Sequence, residues 1–131
     1  MNIKNDIHSF QDIQYLVNAF YTKVQQDELL APIFNNIIKD DWPKHLEKMY
    51  RFWETLLLDK HTYYGAPFPP HSKLPIGHAH FERWLTLFTE TVDYYFVGER
   101  AEEAKWRASK MAIIFESKLN YLVKKHNEIQ A

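Results

Sequence analysis

Between Tyr63 and Pro75 the chain reads Tyr-Tyr-Gly-Ala-Pro-Phe-Pro-Pro-His-Ser-Lys-Leu-Pro, with four prolines in the nine residues from 67 to 75. No helix continues through such a stretch. Each proline lacks an N–H and pushes its predecessor toward extended backbone. The segment is therefore a stiff break that holds His71 at a set position. Apolar-faced helical patterns flank it on both sides, which puts the rigid loop between two walls of a pocket.

Ahead of the break, Ser9 followed by Asp12 has the form of a capping box, which starts a helix near Phe10. Ile13, Leu16, Val17, Phe20, Tyr21 and Val24 follow at helical spacing and define a face toward the core. Tyr21 carries a hydroxyl on that face, so it needs a polar partner there. Leu29 to Ile38 is a short apolar stretch interrupted by Pro32. Asp41 as cap and Pro43 in a first turn then open a helix to about Asp59. His45, Met49, Phe52 and Leu56 form one stripe along it, with Trp53 beside the stripe.

Beyond the break, Phe81 to Phe96 is the strongest helical pattern, with Phe81, Trp84, Leu85, Phe88, Val92 and Tyr95 on its apolar face and Gly98 as stop signal. A last helix, near Glu99 to Lys125, presents Ala104, Ala108, Met111, Phe115, Leu119 and Leu122, widened by Trp106, Ile113 and Ile114. No strand alternation, repeat or linker interrupts the series. The reading is an all-α single domain over residues 1–131, with 1–9 as a loose N-terminal segment.

Composition removes several function classes. The absence of cysteine excludes disulfides, thiolate metal sites and cysteine nucleophiles. Net charge is −1 with both signs interspersed, so no basic face points to nucleic acid or an anionic membrane. No apolar run approaches spanning length, and the expectation is a soluble, cytoplasmic monomer. Three glycines are too few for a phosphate-cradling loop. The 4 Trp, 8 Tyr and 9 Phe exceed what a small helical core requires, which suits a flat apolar ligand.

His78 and His80 do not make a metal site, because two positions on one helix separate them by about 200°. A better pair is His45 and His71. From His45 the helix runs on for about 13 residues, roughly 20 Å. The residues from Asp59 to Pro70 reach at most about 40 Å, enough to bring the loop back along that helix. The slot so formed, walled by Phe20, Phe34, Met49, Phe52, Phe88 and Met111, suits a porphyrin with His71 or His45 on its iron.

Taken in order, the fragments resemble a known family. They are Phe20-Tyr21 with Lys23-Val24, Pro32-Ile33-Phe34-Asn35-Asn36, Trp42 with His45, and Phe52-Trp53. They continue with Tyr63, Gly65 and Pro67, His71 with Leu74-Pro75, then Phe81, Trp84, Leu85 and Phe88, with Arg107-Ala108 and Phe115 behind them. Their order and spacing resemble the truncated haemoglobins, most of all group III, from about residue 13 to 122. The lack of Gly-Gly pairs departs from the other two groups and agrees with this one.

The resemblance implies a globin-like two-over-two helical sandwich around haem b. It maps His71 onto the proximal iron ligand and Tyr21, His45 and Trp84 onto the distal ligand pocket. Lys48 matches a position that pairs with a haem propionate. It further implies binding of O2, with NO and CO as related ligands, and chemistry of a peroxidase-like or nitric-oxide dioxygenase kind served by a reductase partner. The competing reading is a haem-free helical module of globin-like shape that binds a partner or another apolar ligand. His71 separates the two, since a haem-free relative has no use for an imidazole on a stiffened loop.

Overall fold

Ser9 starts the first helix as its spacing predicts. Its Oγ accepts the Asp12 N–H at 3.2 Å, and the Asp12 carboxylate accepts the Ser9 N–H at 3.2 Å in return. Helix α1 (Phe10–Gln26) then buries Ile13, Leu16, Val17, Phe20, Tyr21 and Val24, the six positions its periodicity selects. The structure, a computed structural model, describes residues 3–65 and 75–130, with side chains to residue 125. Asp27 turns the chain by accepting the N–H groups of Leu29 and Leu30. Helix α2 (Ala31–Ile38) follows, with Pro32 in the first turn, where a missing donor costs nothing.

Helix α3 covers Trp42–Leu57. Asp41 stands at its N-cap, but its side chain makes no capping bond. The helix stops short of Asp59, which turns the chain out of helical geometry at φ 56°. Helix α4 (His78–Tyr95) and helix α5 (Glu99–Gln130) complete the chain. Helix α1 packs on α2, α3 and α4, α5 lies along α4, and α3 meets α5. This is the expected all-α two-over-two sandwich. Among the described residues no helix is long and apolar enough to cross a membrane.

The core is a run of rings at the meeting of α1, α3 and α4. Phe88 stacks on Trp53 at 4.8 Å and on Trp84 at 5.6 Å, and meets Phe20 edge-on at 5.3 Å. Phe20 and Phe88 are almost fully buried. Burying each of these rings stabilises the fold by about 2–3 kcal/mol.

Two expectations need correcting. Over its described residues the N-terminal segment is tied down, not loose. Ile7 is fully buried, Asn5 bridges to Phe96, and the Asp6 carboxylate accepts the N–H groups of Arg100 and Ala101 at 3.0 and 2.9 Å. Asp6 thus caps α5 from the far end of the sequence. Gly98, read as a stop signal, takes φ +139° and leaves room for this carboxylate, since a Cβ there would lie 2.4 Å from Asp6 Cγ. The second correction concerns α5. Ala104, Ala108 and Leu119 are buried, but Trp106, Ile113, Ile114 and Leu122 are exposed. Among the described residues the long helix outruns the surface that covers it.

Candidate functional site

Tyr21 is the hub of the candidate site. Helix α1 presents its ring to three others, at centroid distances of 6.1 Å to Phe34, 5.8 Å to Trp42 and 5.1 Å to His45, each edge-on. Burial pushes the Tyr21 phenol well above its ordinary range, with no charge or hydrogen bond contributing. The group is therefore a protonated donor at any pH the protein meets. His45, one turn into α3, has its Nε2 buried in the same cluster. Tyr21 and His45 are brought together as expected.

Trp84 joins them indirectly. Phe20 meets Tyr21 at 4.8 Å and Trp84 at 5.7 Å, so one ring lies between the two donors of the expected distal pocket. The expected wall residues are gathered as well. Phe20, Phe52, Trp53 and Phe88 are buried in one core cluster, and Phe34, Met49, Trp84 and Met111 are partly buried against it. Lys48 is exposed on α3. His71, the expected iron ligand, lies outside the described residues with the rest of 66–74.

Sequence reasoning left several participants unassigned. Trp42 touches Tyr21 and also His45, at 5.6 Å, and its Nε1 donates to Asn35 Oδ1 at 3.3 Å. Its place three residues before His45, on the same helical face, was the available signal. Tyr63 covers Phe52 at 5.2 Å. Glu54 is 3% exposed, which a charged residue beside an apolar stripe gives no reason to expect. The two histidines set aside as a metal pair have separate tasks. His80 Nδ1 accepts the Gly77 N–H at 3.0 Å at the start of α4, while His78 pairs with Glu82 and Glu116. Among the described residues no cluster of three metal-ligating side chains forms.

With this geometry in hand, the sequence matches the bacterial-like globin family over residues 4–115. This chain belongs to the bacterial-like globins. Within them the globin is similar to a group 3 truncated hemoglobin of Campylobacter jejuni, with 35% identity over 113 residues, covering 83% of this chain and 89% of the relative. Its fold superposes on the crystal structure of a group III truncated hemoglobin from the same organism with a TM-score of 0.81 at 34% identity. That match covers 89% of this globin and 95% of the solved chain. Membership implies a haem, and the residues present fit one. The wall is rings and methionines, the polar atoms reaching the Tyr21 cluster are a buried phenol and an imidazole nitrogen, and the exposed Lys48 is a cation for a carboxylate.

Proposed function

We propose that this globin holds haem b between the Tyr21–His45 face and the loop that carries His71, with His71 as the axial ligand, and that it binds O2. The group supplies a metal centre for a diatomic gas. Everything else falls to the chain. The Tyr21 hydroxyl and Trp84 Nε1–H are the donors for a guest with negative character on its outer atom. His45 and Trp42 fix the Tyr21 ring from the α3 side and exclude water. Phe20, Phe34, Met49, Phe52, Trp53, Phe88 and Met111 are the apolar contacts for the macrocycle, and Lys48 the partner for a propionate.

The observation that carries this reading is Tyr21, a phenol buried among the rings of Phe34, Trp42 and His45. A hydroxyl carried into an apolar cluster is costly to bury, and a polar guest offsets that cost. Two or more donors around one guest favour slow O2 release, which suits chemistry or sensing above transport. NO and CO belong to the same ligand class.

The test is spectroscopic. Purified protein supplied with haem is expected to show a Soret band, and His71→Ala is expected to strip or greatly weaken it. Equal haem occupancy in the variant, with an unchanged ferrous spectrum, moves the axial ligand to another residue. No Soret band in the wild type returns the chain to the haem-free module.

A further inference from the structure

The end of α3 holds a partly buried polar assembly, centred on the buried Glu54, that the distal site does not use. Thr55 Oγ1 accepts the Tyr63 N–H at 2.9 Å and the Thr62 N–H at 3.0 Å, the latter shared with Lys60 O. Thr62 Oγ1 stands 2.7 Å from Glu54 Oε1 and 3.4 Å from Arg51 O, so the carboxylate takes its proton. Arg51 Nη1 adds a bond to Glu54 Oε1 at 3.2 Å.

These bonds cost something to build. A helical threonine ordinarily returns its hydroxyl to its own helix or to water. Burying Glu54 next to the aromatic core is unfavourable unless it is well paired. The arrangement secures two consecutive residues, Thr62 and Tyr63, at the point where the chain has left α3. The Tyr63 ring is then seated on Phe52, itself in the core. Gly65 follows with φ +150°, a backbone setting that disfavours any side chain. Pro67 comes two residues later, so the chain runs from a fixed anchor into its stiffest stretch.

We infer that Thr55, with Glu54 and Thr62, forms a positioning latch that sets how the chain leaves α3 and thereby aims His71 at the haem. The inference rests on the assignment of His71 made above. Fixing residues 62 and 63 beforehand lowers the ordering cost that falls on haem binding. Thr55 touches neither haem nor ligand, so its influence passes through the backbone of residues 62 and 63.

The experiment uses the full haem-loaded chain and the variants Thr55→Val, Thr55→Ser and Thr62→Val. Haem transfer to an excess of an acceptor apoglobin gives the loss rate, and resonance Raman of the ferrous protein gives the iron–imidazole stretch. Thr55→Val keeps the shape and removes the acceptor. It is expected to speed haem loss roughly 5- to 30-fold, as one or two lost hydrogen bonds imply, and to shift or broaden the stretch. Thr55→Ser is expected to restore both. Thr62→Val, at a half-buried position, is expected to give the same change in smaller measure.

Unchanged loss rates and an unchanged band in both valine variants overturn the latch. Faster loss with an unshifted band overturns it too, since the residues then serve only the fold. Failure of the ligand assignment reads out separately. A band that survives His71→Ala removes the latch's target, whereas silent latch variants in a protein whose band His71→Ala abolishes overturn the latch alone.

Discussion

Tyr21 and His45 meet edge to face, their ring centroids 5.1 Å apart and their planes at 87°. Such contacts set the electropositive edge of one ring against the face of the other. Here the pair joins α1 to α3. Trp42 closes the group from the side, 5.6 Å from His45 at 90°. Neither side chain moves without disturbing the other, which holds the Tyr21 ring in place.

Tyr21 and Trp84 are expected to hold O2 as a unit. A hydrogen bond in this dry aromatic setting contributes about 1–2 kcal/mol, so Tyr21→Phe or Trp84→Phe is expected to speed O2 dissociation roughly 5- to 30-fold. Carbon monoxide is less polar when bound, and its release is expected to change far less. Donors that address one guest are coupled through it, so the double variant is expected to depart from additivity, whereas strict additivity means that Phe20 keeps the two apart. Stopped-flow release of both gases decides the matter; O2 rates that stay flat in all three variants make the two side chains core packing.

His45 is expected not to be a permanent iron ligand in the ferrous protein. Its ring is held between Tyr21 and Trp42, and leaving that position forfeits both contacts. The ferrous spectrum of His45→Leu without added gas should therefore match wild type. A six-coordinate bis-histidine spectrum that collapses in this variant contradicts the expectation.

Asp6 and Gly98 are expected to govern stability jointly. Asp6→Ala removes the cap of α5 and is expected to cost about 1–2 kcal/mol. Gly98→Ala forces a Cβ against that same carboxylate in a disfavoured backbone setting, for about 2–4 kcal/mol. Burial pushes the Asp6 carboxyl up, but the Arg100, Ile7 and Ala101 amides outweigh it and hold it below its ordinary 3.8. Its contribution is thus present above pH 3.8 and lost as pH falls through the lowered value. Urea melts from about pH 7 to pH 3 check this, the loss on acidification being smaller in Asp6→Ala.

His78 is expected to stabilise the fold at low pH only. The Glu116 hydrogen bond, helped by the charges of Glu116 and Glu82, raises its imidazole above the ordinary 6.5. The protonated form is favoured in the folded chain, so the contribution is full below pH 6.5 and disappears as pH rises through the raised value. His78 is largely exposed, and solvent keeps the effect small. Melting temperatures of wild type and Glu116→Gln at about pH 6 and pH 9 are expected to differ at the lower pH and converge at the higher.

Helix positions and the buried face of α1 were legible because each depends on local spacing. Ser9 with Asp12 fixed a start, and Phe20, Tyr21 and His45 stood on faces their periodicity defined. What was not legible depends on distant partners. Nothing near Asp6 announces that it caps a helix 94 residues away. Glu54 reads as solvated until Thr62 is folded back on it. Trp106, Ile113 and Ile114 extend an apolar pattern, yet all three are exposed among the described residues. The truncated-haemoglobin resemblance chose His71 over His45 as the iron ligand and supplied the roles of Tyr21 and Trp84, which spacing alone left open.

The Asp6 bonds to Arg100 and Ala101 span 94 and 95 residues, and that span has a kinetic meaning. Closing so long a loop costs chain entropy that only prior assembly of the intervening helices reduces. The clasp therefore belongs to the downhill side of the folding barrier. Substitutions at Asp6 or Gly98 are expected to leave the refolding rate nearly unchanged and to accelerate unfolding, as late-formed contacts do. A residue at the very start of the chain thus acts chiefly on how long the folded globin lasts.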